Sequence, residues 1–177
     1  YTYAWTVDGS DPGVTDASLS DEYFARDQDV ICYATPNDGD DDGDQVASNA
    51  VTVSNTEPSI DSVAISPEDP LVTETLECSY EGYADVDGDS DASTYSWTID
   101  GVEVGTDSTL SGAFETGDTV VCTVTPDDGT DTGEAVSAEV EIDNTAPTID
   151  SVSISPDPAV AADTLTCSEV GFADDDG

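Results

Sequence analysis

Lysine, histidine and methionine are missing from this 177-residue chain, and a single arginine, Arg26, stands against 42 aspartates and glutamates, for a formal net charge of −41. Almost nothing in it can carry positive charge. That excludes the Lys/Arg surfaces that bind phosphate backbones and anionic membranes, so nucleic acid is not an expected partner and cations are. Without histidine the commonest general base is gone. A glycosidase needs two carboxyl groups about 5 Å or about 6.5–9.5 Å apart in one cleft, whereas the acids here recur with a repeat in glycine-rich turns. No catalytic activity is expected and no catalytic residue is assigned. The absence of lysine also excludes Lys–Asn isopeptide cross-links, leaving disulfides as the source of covalent strength. No apolar run approaches the ~18 residues that mark a membrane-spanning helix, and no signal peptide opens the sequence. Any targeting signal or anchor is expected outside this segment. Asn-x-Ser/Thr acceptors are absent, while Ser/Thr-rich strands leave O-glycosylation open.

High net charge with few apolar residues is the signature of disorder, because such a chain cannot bury enough surface to offset its conformational entropy. Here 36% of residues are apolar, and they alternate. Ser96-Trp97-Thr98-Ile99 and Val120-Val121-Cys122-Thr123-Val124 have the period-two or β-branched character of strands, bounded by Gly, Asp and Pro clusters. A folded β protein is therefore expected.

The chain repeats itself. Asn55-Thr-Glu-Pro-Ser-Ile-Asp-Ser-Val-Ala-Ile-Ser-Pro67 returns as Asn144-Thr-Ala-Pro-Thr-Ile-Asp-Ser-Val-Ser-Ile-Ser-Pro156, an offset of 89 residues. Cys78 maps to Cys167 at the same offset, Cys32 to Cys122 at 90 and Trp5 to Trp97 at 92. A period near 90 is too long for a solenoid unit of ~20–50 residues and suits a sandwich of ~100. Residues 55–143 read as one complete repeat, 1–54 as the C-terminal part of another and 144–177 as the N-terminal part of a third. Two explanations stand: a two-repeat slice of a longer polymer, which is favoured, or a subunit whose partial repeats are completed by its neighbours through strand exchange.

Within 55–143, strands are expected near 59–65, 73–80, 94–100, 102–104, 108–113, 119–125 and 134–142, with turns at Pro67–Pro70, Asp100-Gly101, Thr116-Gly117-Asp118 and Asp127-Asp128-Gly129. Asp-Gly between Ile99 and Val102 is a strong hairpin signal, because glycine tolerates the positive φ of a primed turn. Seven short strands with frequent turns define an all-β sandwich.

The order Cys78, Trp97, Cys122 resembles that of immunoglobulin domains, in which an inter-sheet disulfide packs on a buried tryptophan. That resemblance implies a Cys78–Cys122 bridge with Trp97, and by repetition Trp5, in the core, and it implies an oxidising compartment. Metal or redox roles for these thiols are disfavoured by the lack of Cys-x-x-Cys spacing and of histidine. Cys32 and Cys167 are expected to pair across the repeat cut, with cysteines outside the segment. Ala84-Asp-Val-Asp-Gly-Asp-Ser-Asp-Ala-Ser-Thr-Tyr-Ser-Trp97, the following Thr98-Ile-Asp-Gly101 and Thr125-Pro-Asp-Asp-Gly129 are similar to bacterial PKD-like and related Ig-like repeats. The resemblance covers the whole chain and implies tandem extracellular sandwiches used as spacers or adhesive modules of large surface or filament proteins. The chain departs from the usual PKD pattern in its cysteine pair and in having Val120, not Tyr, two residues before Cys122.

Most of the acid lies in loops. Asp85, Asp87, Asp89 and Asp91 alternate in one, Asp127, Asp128 and Asp131 fill another, and Asp174, Asp175 and Asp176 repeat the first. In an Ig-like sandwich the loops after the second strand and between the last two strands share an end. The linkers, Asn55–Pro58 and Asp143-Asn144 through Pro147, would bring further oxygen ligands there. Ca²⁺ accepts such oxygens with flexible geometry. Asp85 to Asp91 imitates the start of an EF-hand loop but has no Glu at its twelfth position and no helical flanks, so that motif is rejected. The competing explanation is that Asp and Gly simply make turns on a solvated surface. Repulsion of about 1 kcal/mol between carboxylates ~4 Å apart even in water favours a counterion.

The expectation is thus an extracellular, structural Ig-like repeat of a filament or giant adhesin, stiffened by Ca²⁺ at repeat junctions and by disulfides, with neighbouring repeats and divalent cations as partners. The alternative is a module that binds glycans or proteins through aromatics such as Tyr1, Tyr3, Tyr80, Tyr83 and Tyr95.

Overall fold

The computed structural model describes residues 1–112 and 114–176. Among these the fold is all-β, with one short 3-10 turn at Asp21–Tyr23, and every pair of named strands is antiparallel. The chain forms two compact units: Tyr1–Ser59 with Ala84–Ala92 and Asp127–Gly133, and Ile60–Tyr83 with Ser93–Pro126 and Glu134–Gly177.

The first unit is built on one sheet. β1 (Thr2–Val7) pairs with β2 (Asp29–Thr35), and the short β3 (Val46–Ala47) and β4 (Val51–Thr52) pair with the other edge of β2. Trp5 stands opposite Cys32. After β1 the chain reverses at Asp8-Gly9, both with positive φ (51° and 76°). The Asp8 N–H donates to Asp29 O and its carboxylate accepts from Asp29 N, both at 2.9 Å.

In the second unit, β5 (Ser62–Ser66), β6 (Leu76–Glu81) and β9 (Thr109–Leu110) form a three-stranded sheet in the order β5-β6-β9. β7 (Thr94–Ile99), β8 (Val102–Gly105), β10 (Thr119–Thr125) and β11 (Val136–Glu141) form a four-stranded sheet in the order β11-β10-β7-β8. β10 alternates strictly, burying Val120, Cys122 and Val124, the period-two pattern of a strand that packs one face. β6 buries Leu76 and Cys78 in the same way. These side chains, with Ile65, Val72, Phe114 and Ile142, make one core around Trp97, which is 0% exposed. The buried indole N–H still finds an acceptor, the Asp107 carbonyl at 2.8 Å, as a desolvated donor requires. Cys78 on one sheet is bonded to Cys122 on the other, with a Cα–Cα distance of 6.3 Å. A further hairpin, β12 (Ser151–Ser155) with β13 (Thr166–Val170), follows.

All seven strands expected within 55–143 are present. The first begins at Ser62, because just past the end of its partner β6 the backbone leaves the extended region at Gly82 (φ +76°), beyond which only the isolated Ser59–Ala84 bridge continues the pairing. The expected 108–113 strand is only Thr109–Leu110, and its last residue, 113, lies outside the described residues. Asp100-Gly101 makes the expected turn, with φ of 49° and 80°. Asp100 then repeats the Asp8 clamp: its N–H donates to Thr119 O at 2.9 Å and its carboxylate accepts from Thr119 N at 3.1 Å. Trp97 is fully buried, whereas Trp5 is half-buried.

The Cys78–Cys122 bridge spans 44 residues, and closing a loop of that size in the unfolded chain stabilises the fold by about 4 kcal/mol. The double variant Cys78→Ala/Cys122→Ala is therefore expected to lose about that much in urea unfolding followed by tryptophan fluorescence, a loss under about 1 kcal/mol being inconsistent with this role.

Candidate metal centre

Three chain segments of the first unit meet at an acidic cluster. Loop 127–133 turns at Gly129 (φ +86°), and the Asp128 carboxylate caps the turn by accepting the N–H groups of Thr130 at 2.6 Å and Asp131 at 2.7 Å. Short polar side chains favour such turns because they replace a backbone acceptor. The same Asx turn occurs at Asp38, which accepts Asp40 N and Asp41 N at 3.0 Å. Loop 84–92 folds back on itself through Asp89 N donating to Asp85 Oδ1 at 2.9 Å. The two loops are joined by Ala92 N donating to Asp127 O at 2.8 Å.

Asn55 supplies the third segment. Its amide donates to Asp128 Oδ2 at 2.7 Å and to Asp131 Oδ2 at 3.0 Å. The next residue, Thr56, donates its N–H to Asp87 Oδ2 at 2.7 Å. Arg26 closes the arrangement: its guanidinium donates to Asn55 Oδ1 and grips both carboxylate oxygens of Asp89, one at 3.1 Å. The fork of a guanidinium matches a carboxylate in this bidentate way.

Asp85, Asp89 and Asp128 each offer a carboxylate oxygen within 4.8 Å of the others'. Asp128 is buried, at 8% exposure. Asp85 Oδ2 is buried and accepts no hydrogen bond, an orphaned anionic acceptor of the kind native structures rarely leave without a counterpart. All three contributed donors are oxygen, which suits a hard cation such as Ca²⁺ or Mg²⁺ and not a soft metal. Arg26 already neutralises part of the cluster, so a metal ion would share Asp89 with it or displace it.

The protonation equilibria follow this geometry. The Asn55 amide, then the backbone N–H groups of Asp131 and Thr130, hold the Asp128 carboxyl below its ordinary range against the opposing effect of burial. Hydrogen bonding to Asp89 raises Arg26 above its ordinary value. Backbone N–H groups from Asp41 and Asp40 lower Asp38.

Of the expected ligands, then, Asp85, Asp89 and Asp128 come together. Asp87 is committed to the Thr56 N–H, and Asp127 accepts Gly129 N at 2.6 Å within its own turn. Asp91 lies in the same loop as Asp85. Asp143 lies in the second unit, its N–H donating to Pro70 O at 2.7 Å. Asn144, Asp174 and Asp176 echo part of the cluster at the repeat offset. Thr145 N donates to Asp176 Oδ2 as Thr56 N does to Asp87, and Asp176 N donates to Asp174 Oδ1 at 3.2 Å. Asp176 Oδ1 is again buried without a hydrogen-bond partner, and Asp175 is exposed. Arg26 is the residue the sequence expectation omits. The available signal was electrostatic: the sole cation of a chain at −41 gains most where carboxylates are densest. A comparison with known protein families finds no match, and neither does a comparison with curated proteins.

Because the folded Asp128 carboxyl is depressed from 3.8, its contribution to stability is present above that pH and lost as pH falls through the lower folded value. The stability difference between wild type and Asp128→Asn, measured by urea unfolding from pH 7 to pH 2, should be flat above about pH 5 and shift against the wild type below 3.8. Parallel profiles throughout would contradict the assignment.

Proposed function

We propose that this chain is a structural segment of an extracellular tandem array of immunoglobulin-like, PKD-related sandwiches, in which Ca²⁺ binds the Asp85/Asp89/Asp128 cluster and stiffens the linker at Asn55. The observation that carries the proposal is the buried, unpartnered Asp85 Oδ2 inside an all-oxygen cluster to which the Asn55 segment is also tied. Two sheets ordered β5-β6-β9 and β11-β10-β7-β8, bridged by a disulfide beside a buried tryptophan, support the Ig-like part, since Ig domains divide their strands between sheets in a comparable way. The disulfide supports an oxidising, extracellular setting. The role is mechanical, with no catalytic step: the ion offsets repulsion among carboxylates that the turns bring together, and fixes the linker against loops 84–92 and 127–133. Neighbouring repeats and divalent cations are the partners in this account, at a microbial cell surface or in a filament.

A ligand that binds only the folded state at 100 times its dissociation constant stabilises it by about 2.7 kcal/mol. Saturating Ca²⁺ in low salt should accordingly raise the melting temperature by several degrees over the EDTA-treated chain, with Na⁺ at equal ionic strength as the control for general screening. The Asp85→Asn/Asp89→Asn/Asp128→Asn variant should lose the calcium-specific part of that rise. Identical melting with Ca²⁺ and with EDTA would sink the proposal.

A further inference from the structure

Every carboxylate oxygen of Asp85, Asp89 and Asp128 but one already accepts a hydrogen bond. Asp85 Oδ1 takes the Asp89 N–H, Asp128 Oδ1 takes the N–H groups of Thr130 and Asp131, and Asp128 Oδ2 takes the Asn55 amide. Both oxygens of Asp89 belong to the Arg26 guanidinium, and Asp85 Oδ2 is left over. Ca²⁺ gathers about six to eight oxygens, so an entering ion must take ligands from the donors that hold them. The backbone donors are fixed by the turns they close. The guanidinium is different, because it can leave without any change of backbone. It holds three oxygens at once: Oδ1 and Oδ2 of Asp89 and Oδ1 of Asn55.

The local backbone does not ask for an arginine at this place. The other repeat has Thr116 there, at the offset of 90 that also relates Cys32 to Cys122. Both residues sit in the same turn. Ala25 N donates to Gln28 Oε1 at 2.7 Å as Glu115 N donates to Asp118 Oδ2 at 2.8 Å. Asp27 N donates to Val53 O at 2.9 Å as Gly117 N donates to Ile142 O at 2.8 Å. A turn that forms equally well around threonine leaves the cluster as the reason for the guanidinium. The side chains of Arg26 and Asp89 are 27% and 24% exposed, so their pair is partly shielded from solvent, and a bidentate guanidinium–carboxylate pair is of the strong kind.

We infer that Arg26 is a built-in competitor for the cation, an inference that rests on reading the Asp85/Asp89/Asp128 cluster as a Ca²⁺ site. The guanidinium and the ion take the same oxygens of Asp89 and Asn55, and their exchange sets the Ca²⁺ concentration at which this junction loads. Without metal, the guanidinium neutralises Asp89 and ties Asn55 to loop 84–92. With the ion in place, Asp89 and Asn55 turn to it and the guanidinium moves out toward the exposed Asp27, already 3.8 Å away. Only molecules whose guanidinium has left can load, so the apparent affinity falls by the open fraction. A pair closed in about nine molecules of ten lowers it about tenfold. Thr116 carries no charge, so the chain places this competitor in one repeat and omits it from the next.

The test is calorimetric titration of Ca²⁺ into the metal-free 177-residue chain at fixed low NaCl, for wild type, Arg26→Thr and Arg26→Lys, each checked for retained near-ultraviolet dichroism. Asp85→Asn/Asp89→Asn/Asp128→Asn is the blank for ions held by the rest of the acidic surface. Arg26→Thr should bind about tenfold more tightly than wild type. Arg26→Lys should fall between them, because a single ammonium cannot fork onto Asp89 and Asn55 together. Melting gives a second readout: without metal Arg26→Thr should melt below wild type, and saturating Ca²⁺ should close the gap. Binding by wild type above the blank, with Arg26→Thr no tighter, would overturn the inference and leave the Ca²⁺ site standing. Arg26→Lys indistinguishable from wild type would overturn it too, since charge alone would then account for the effect. No binding above the blank by wild type or by Arg26→Thr would remove the calcium reading and the inference with it.

Discussion

Repulsion among 42 acidic side chains with one guanidinium to answer them is the constraint on which the rest of the molecule depends. Carboxylates cannot enter an apolar core without neutralisation or pairing, so the fold keeps them at turns and on outward strand positions. Inside the second unit the buried set is Ile, Val, Leu, Trp, Phe and a disulfide. The only buried charged residue among those described is Asp128, and it is held by three N–H donors. Where turn geometry forces acids together, the chain spends its single cation: Arg26 sits on Asp89 and Asn55, not on an open surface.

A small apolar core in a chain this acidic has little margin, and the disulfide supplies it by limiting the unfolded state. Placing Cys78 and Cys122 on different sheets, beside Trp97, lets one bond fix the separation of both layers. The Asp-Gly hairpins do related work at the sheet edge. Asp8 and Asp100 adopt positive φ, an uncommon conformation for a residue with a side chain, and each is held by two hydrogen bonds to a neighbouring strand, Asp8 to Asp29 of β2 and Asp100 to Thr119 of β10. The aspartate that turns the chain is thus also the one that docks the hairpin, and this economy recurs in both repeats.

Much of the fold was legible because it rests on short-range rules. Period-two alternation located β6, β7, β10 and β11 within a few residues, and Asp100-Gly101 located the hairpin. The Cys, Trp, Cys order anticipated the bridge and the buried indole. What escaped was set by tertiary contact. The late start of β5 depends on the positive φ of Gly82, a residue across the sheet just past the end of β6, which no pattern local to β5 encodes. In the candidate site the loops were readable from their Asp and Gly content, but not which carboxylates face inward: Asp87 turns to Thr56 while Asp85 and Asp89 turn to Asp128. Arg26 lies 63 residues from Asp89, and only its rarity hinted at its place. Trp5 and Trp97 share a sequence context and differ in burial, since burial is decided by what covers a sheet face and not by the strand itself.

The claim that the acidic cluster is a cation site bears most directly on how this molecule works, and a crystal structure grown in calcium with anomalous scattering data tests it at the atoms concerned. The account predicts one anomalous peak ligated by Asp85, Asp89 and Asp128, with oxygens at about 2.3–2.6 Å and the guanidinium of Arg26 drawn off at least one oxygen of Asp89. No peak at millimolar Ca²⁺, with Arg26 still holding both oxygens of Asp89, would contradict it.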